Sequence, residues 1–344
     1  MMNGFTSSAA SLFRHRFSAY IYIIMCICFL SACNSDEKKG TTAKGKAQSA
    51  PYELLVVADK DWLNTDAGQR LIATVEAPIA GLPQAEPNFR VTYINPYAFS
   101  GTFKGYSNIV VAEVGKKHPK ASVAMQKNVY AQPQVVLYIY APDNQSFVSC
   151  LEKNQARILT RLNENEFARE RNFLKKHHSG VVLEEAKKLF GIEIYAPAEI
   201  DDIKKGKDFF WASSRKKEFR QNVCIYSLPM QELTTERLVA IRDSVMKVNI
   251  PGGHEGQWME TDARTVSESM VKVDGKDIFS LRGLWYMRND AMGGPFVCYV
   301  YPDEKNNRLL VAEGFVFSPE EKKRALVRGL EAALQTFTFS AVAQ

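Results

Sequence analysis

The chain is poor in the residues and patterns that most often announce chemistry. Of its 6 cysteines, three stand within the first 33 residues, and the others, Cys150, Cys224 and Cys298, lie far apart. No Cys-x-x-Cys pair follows residue 33, which argues against a zinc ribbon or a thioredoxin-like redox site. Nucleophile elbows, phosphate-cradling loops ending in Gly-Lys-Ser/Thr and dinucleotide fingerprints are all missing, so nucleotide enzymes and serine hydrolases of those designs are disfavoured. Histidine is scarce, at 5 residues. One of them, His254 in "IPGGHEGQWMETD", stands beside Glu255, but the glycines oppose a helix and no second histidine follows, so a metalloprotease helix is excluded and no metal site is expected. Charge of one sign is also lacking. The formal net charge is +6, with acids spread among the basic clusters, and Arg14 and Arg16 supply two of the positive charges. Such a balance predicts solvated faces, including at Lys322-Lys323-Arg324, rather than a nucleic-acid footprint. No cofactor is expected.

What is present begins at the N-terminus. Arg14, His15 and Arg16 precede an uncharged run over 17–32, with small residues at Ser31 and Ala32. This is the order of an export signal, and the run is shorter than the roughly 20 residues a membrane-spanning helix needs. Leu30-Ser31-Ala32-Cys33 resembles the bacterial lipobox, and its position directly after the apolar run fits. The resemblance implies cleavage before Cys33 and acylation of its thiol, and two or more acyl chains hold a protein stably on a membrane. The following residues up to 51 contain no large aliphatic side chain and predict a flexible tether, with Asp36 and Glu37 forming a short acidic stretch. The expected location is therefore the cell envelope, lipid-anchored on the outer membrane, with the acidic stretch as a candidate address for the cell surface. An exported chain meets an oxidising compartment, so a bridge between Cys224 and Cys298 stays open at this point.

The body reads as α+β in two α/β-sandwich-like halves. In residues 52–142, strands are expected at 53–58, 89–94, 108–114 and 134–140, with a helix over 65–77 and a short helix from Pro119 to about 130. That βαββαβ order predicts a ferredoxin-like plait, four antiparallel strands with helices on one face. Residues 143–190 predict a helical connector, closed by Gly191 after Phe190. Residues 191–344 predict an antiparallel meander packed on helices. In it, Leu238, Ile241, Val245 and Val248 mark a helix face, Asp201 and Asp202 fall in a loop, and Ser318-Pro319-Glu320-Glu321 carries the signature of a capping box.

The stretches "LLVVADKDWLNTDAGQRL" and "RGLWYMRNDAMGGPFVCYVYPDEKNNRLLVAEGFVFSPEEKKR", together with the lipobox, give the mature chain a resemblance to an uncharacterised lipoprotein family of Bacteroidota. The resemblance implies a location and an extent. It carries no catalytic assignment.

Two features remain as candidates for function. "NPYAFSGTFKGYSN" places Tyr97, Phe99, Phe103 and Tyr106 on one long loop, where they either fold back on the core or face a partner, and Trp258 is a further exposed-aromatic candidate. Asp59 and Asp61 directly follow an apolar strand, as in phosphatases that share a divalent cation between two carboxylates, although Leu63 stands where those enzymes want Thr or Val. The reading that follows is a lipid-anchored envelope module that binds or assembles, with a protein or glycan of the envelope as candidate partner. Its rival is a metal-dependent hydrolase using Asp59 and Asp61, which needs a third acid beside them. Replacing Cys33 with Ala is expected to release the protein from membranes or leave an uncleaved precursor, read by fractionation and intact mass; unchanged processing with retained acyl mass contradicts the assignment.

Overall fold

The first half is organised by continuous apolar strands that are buried on both faces. A computed structural model describes residues 44–216 and 219–340, so the signal segment, Cys33 and the tether as far as residue 43 lie outside the described residues. Five strands, β1 (Glu53–Val57), β2 (Arg90–Ile94), β3 (Asn108–Val114), β4 (Ser122–Lys127) and β5 (Val135–Ala141), form one sheet in the order β2-β1-β3-β5-β4. The pairs β1 with β2, β1 with β3, and β3 with β5 are parallel, and β4 alone runs antiparallel. The ferredoxin-like expectation is therefore corrected: the four expected strands are present, but a fifth strand stands where the second helix was expected, and the sheet is mainly parallel. Two-sided burial is the physical reason, since Leu54 and Val56 face one core cluster while Leu55 and Val57 face another. A strand with no polar face belongs at the centre of a parallel sheet. The segment expected as a helix after Pro119 instead supplies β4, a largely exposed edge whose sparse apolar residues hide it from periodicity.

Helices α1 (Lys60–Leu63), α2 (Asp66–Val75) and α3 (Asn144–Leu174) follow, each opened by a side-chain cap, from Asp59, Thr65 and Asp143. Leu71 of α2 and Phe147, Leu151, Ile158 and Leu162 of α3 cover one face of the sheet. The opposite face is covered by the loop between β2 and β3. Those strands are parallel and flank β1, so the chain must cross the sheet between them, and this crossover carries aromatics in place of a helix. Residues 45–50, expected as tether, also belong to the body: Ala47 N–H donates to the Gln132 carbonyl at 3.0 Å, and Ser107 N–H to Ser49 Oγ at 2.9 Å.

The second half matches the expected antiparallel layer packed on helices. Strands β7 (Ile200–Gly206), β8 (Phe209–Ser214), β9 (Arg220–Pro229), β10 (Met259–Val273), β11 (Lys276–Met287), β12 (Gly293–Asp303) and β13 (Arg308–Phe317) are ordered β10-β11-β12-β13-β9-β8-β7. The short β6 (Ile192–Glu193) pairs separately with β14 (Thr338–Phe339). Asp201 and Asp202 thus lie on edge strand β7, not in a loop, and the polar edge β10 had no visible pattern. Helices α4 (Gly180–Phe190) and α6 (Arg324–Leu334) cover one face, and α5 (Thr235–Asn249) covers the other. On α5 the buried stripe is Leu238, Arg242 and Met246, while Val248 is exposed. The stripe was misplaced because its central member is an arginine, which Glu313 accommodates with two hydrogen bonds of 2.8 and 3.0 Å. Cys224 on β9 and Cys298 on β12 are both free, separated by β13. Two strand spacings amount to roughly 10 Å, beyond the about 7 Å that a disulfide can span.

The halves meet at α6. Its N-terminus was expected to be capped by Ser318, but the buried Ser318 hydroxyl has no hydrogen-bond partner among the described residues, and the helix starts at Arg324. The cap comes from the first half: Glu86 Oε1 accepts from Lys323 N–H at 2.7 Å and Oε2 from Arg324 N–H at 3.2 Å. One turn further on, Arg328 donates to Asn88 Oδ1 at 2.7 Å and to Glu331 Oε2 at 2.9 Å, and Arg282 reaches Glu331 Oε1 at 2.5 Å. Phe167 and Leu174, from the last turns of α3, close the joint against Ala332 and Ala333. Burial pushes the Glu331 carboxyl up, but Arg282 and Arg328 outweigh it and hold the group below its usual value. A depressed carboxylate stabilises the fold above its unfolded pKa of about 4.3 and stops doing so as pH falls through the folded value. Glu331→Gln, which strands two buried guanidinium groups, is expected to cost about 3–5 kcal/mol at pH 7. Urea unfolding should show that gap narrowing once the pH drops below the ordinary carboxylate range, and a gap independent of pH contradicts the assignment.

Candidate binding cleft

A cleft of about 780 Å³ opens beside this joint. Its floor is built from β11, β12 and the end of β13. Trp285 is buried there and donates from Nε1 to the Val316 carbonyl at 3.2 Å, with the Phe315 ring edge-on at 5.6 Å. That close approach depends on Gly294, where a Cβ would collide with the Val316 carbonyl. One wall is an irregularity in β10, whose register against β11 breaks between Asp262 and Ser267. Thr265 holds the break, accepting from Leu284 N–H and donating to the Asp262 carbonyl, each at 2.8 Å. Such a bulge re-aims the side chains it displaces. The other wall comes from the segment leading into β2, at Pro83 and Gln84, and from the approach to α6, at Pro319 and Lys323. Both halves of the chain therefore contribute to the lining.

The charges are unevenly balanced. On the bulge, Arg264 grips Asp262 with two bonds of 2.9 Å, and this pairing holds the Asp262 carboxyl below its usual range. Across the cleft, Lys323 is 4% exposed, and its ammonium donates to Gln84 Oε1 at 3.0 Å and to the Glu321 carbonyl at 2.9 Å. Both acceptors are neutral. The basic cluster at 322–324, expected to face solvent, is thus corrected at its central residue. Apolar surface from Leu284, Trp285 and Phe317 dominates the floor, and among the described residues the lining contains no serine, cysteine or histidine. A concave apolar surface with a few convergent polar groups suits the binding of a small molecule.

The residues singled out from sequence lie elsewhere. Tyr97 is 88% exposed, whereas Phe99, Phe103 and Tyr106 are half-buried on the sheet crossover, with Phe99 edge-on to Tyr130 at 5.4 Å. Trp258 stands apart from them on the second half, donating from Nε1 to Glu260 Oε1 at 2.8 Å beneath the Lys247 ammonium, 4.1 Å from its ring centroid. Asp59 spends its Oδ1 on the N–H groups of Asp61 and Trp62, at 2.9 and 3.0 Å, as the cap of α1. Among the described residues, no group of three or more His, Cys, Asp or Glu side chains is placed to hold a metal ion. The third acid that a hydrolase at Asp59 and Asp61 requires is not found there. His254 is exposed on its loop. The cleft was missed because its members come from four separate stretches of sequence; "AMGGPF" was the one local signal, a glycine pair opening an otherwise apolar strand.

Residues 47–175 match a family described as a domain of unknown function (DUF8532), and residues 180–336 match a second domain of unknown function (DUF4837). The two matches cover consecutive stretches of the chain, and each is to a domain of unknown function. The boundary between the matches falls between α3 and α4, so the cleft is lined from both the DUF8532 and the DUF4837 parts. No curated protein matches the chain. Among solved structures, the Saccharomyces cerevisiae Ran-binding protein Mog1p is 10% identical, with 43% of this chain and 90% of that chain covered at a TM-score of 0.31. A variant of protein Mog1 is 11% identical over 44% and 93% of the two chains, also at 0.31. Likeness at that level carries no argument about function. Among the described residues no helix is long and apolar enough to cross a membrane.

Proposed function

We propose that this is a lipid-anchored protein of the bacterial cell envelope, of a Bacteroidota lineage, attached through Cys33, whose body is a non-catalytic module that binds a small ligand in the cleft between its two domains. The anchor rests on the lipobox-like Leu30-Ser31-Ala32-Cys33 at the end of an export-signal pattern. The single observation that carries the binding role is the cleft itself: about 780 Å³, apolar on its floor and polar at its two walls. Sites at the junction of two domains are common places for ligands to bind. The outer membrane is the favoured location, with the acidic residues after Cys33 as the address.

Ala291 is exposed at the rim of the cleft and can be enlarged without disturbing the core. The test is native mass spectrometry of the folded chain after incubation with a small-molecule extract of envelope. The wild type should retain ligand mass, and Ala291→Trp should lose it while melting within about 2 °C of the wild type. Equal retention by both proteins places the ligand elsewhere and sinks the assignment of the cleft.

A further inference from the structure

The cleft has a charge that its own residues leave uncompensated. Among the described residues three charged side chains line it, and two of them, Asp262 and Arg264, neutralise each other through paired hydrogen bonds. The third, Lys323, is buried, and its ammonium meets only the neutral oxygens of Gln84 and the Glu321 backbone. Among the described residues no carboxylate lies within ion-pair distance of its nitrogen. Glu86, whose carboxylate touches the Lys323 backbone, spends both oxygens on the N–H groups of Lys323 and Arg324. A lysine ammonium has three donors, and two are used. Burying a cation without a counter-charge is unfavourable, so such a group is stabilised when an anion arrives, and the same group discriminates against a neutral analogue.

We infer that the ligand of this cleft is an amphipathic carboxylate, a molecule with one anionic head for the Lys323 ammonium and an apolar body for the surface formed by Leu284, Trp285 and Phe317. This rests on the binding role proposed above and narrows it to a chemical class. One negative charge matches the one positive charge left in the lining. A dianionic phosphate is a poorer match, because the Arg264 guanidinium is already held by Asp262. The lysine is a point charge, which selects for charge more than for shape. A free small acid and the C-terminus of a peptide present the same head group.

The experiment is calorimetric titration at pH 7 of the folded chain with 2-naphthoate and with its neutral isostere 2-naphthamide. The wild type should bind the acid at least tenfold more tightly than the amide. Lys323→Met should abolish that preference, and Lys323→Arg should restore a part of it, an outcome that loss of packing alone would not give. Equal affinity of the wild type for acid and amide overturns the carboxylate assignment while leaving the cleft as a binding site. Binding of neither probe by the wild type, or unaltered binding in Ala291→Trp, overturns the cleft as well. An acetylated tripeptide ending in a free phenylalanine carboxylate, titrated in parallel, assigns the source: tighter binding than naphthoate indicates chain ends, weaker binding indicates free acids.

Discussion

A carboxylate from the first half of the chain caps the last helix of the second, and the way the two halves pack depends on it. Helix N-termini leave backbone N–H groups without partners, and a buried one must be satisfied from somewhere. The approach to α6 contains a serine, a proline and two glutamates, which are ample material for a local cap, yet Glu86 does the work from 237 positions away. That choice makes α6 a shared element. Its apolar residues Val327, Leu330 and Leu334 belong to the core of the second sheet, while its first turn and Arg328 belong to the segment that leads into β2. Glu331, at the end of the same helix face, gathers Arg282 and Arg328 and passes the connection on to the second sheet. A helix held in this way fixes the 83–86 segment against Lys323, and so fixes the second wall of the cleft.

How much of this was legible in the sequence depended on how local each signal was. Strands such as 53–58 and 309–317 declared themselves by composition, and the left-handed Gly191 that closes α4 is encoded next to the helix it bounds. Whether strands run parallel or antiparallel is not local. The expected βαββαβ order put a helix where β4 stands, and the two-sided burial of Leu54 to Val57 is what marks the central strands as parallel. Edge strands β4 and β10 escaped because exposed edges need no apolar period. On α5, Arg242 occupies a core position that any hydrophobicity pattern assigns to solvent, and its partner Glu313 lies on another strand entirely.

The candidate site was the least legible part. Aromatics on the 96–106 loop invited a functional reading, but a parallel return from β2 to β3 requires something to cover the sheet, and Phe99, Phe103 and Tyr106 do so. Asp59 likewise looked like half of a cation site and is occupied as a helix cap. The cleft draws on residues from 83 to 323, and its most informative member, Lys323, sat inside a basic triplet whose neighbour Lys322 is exposed. Burial changed its meaning, and burial is set by the joint.

The most direct test of this account is amide hydrogen exchange on the folded chain carrying Glu86→Ala. If the carboxylate is what couples the domains, exchange should quicken together at 83–88 and at 319–328, on both sides of the cleft, while the central strands β1, β3, β12 and β13 keep their protection. Loss of protection confined to Lys323 and Arg324, with 83–88 unchanged, would show that the domains are held together without it.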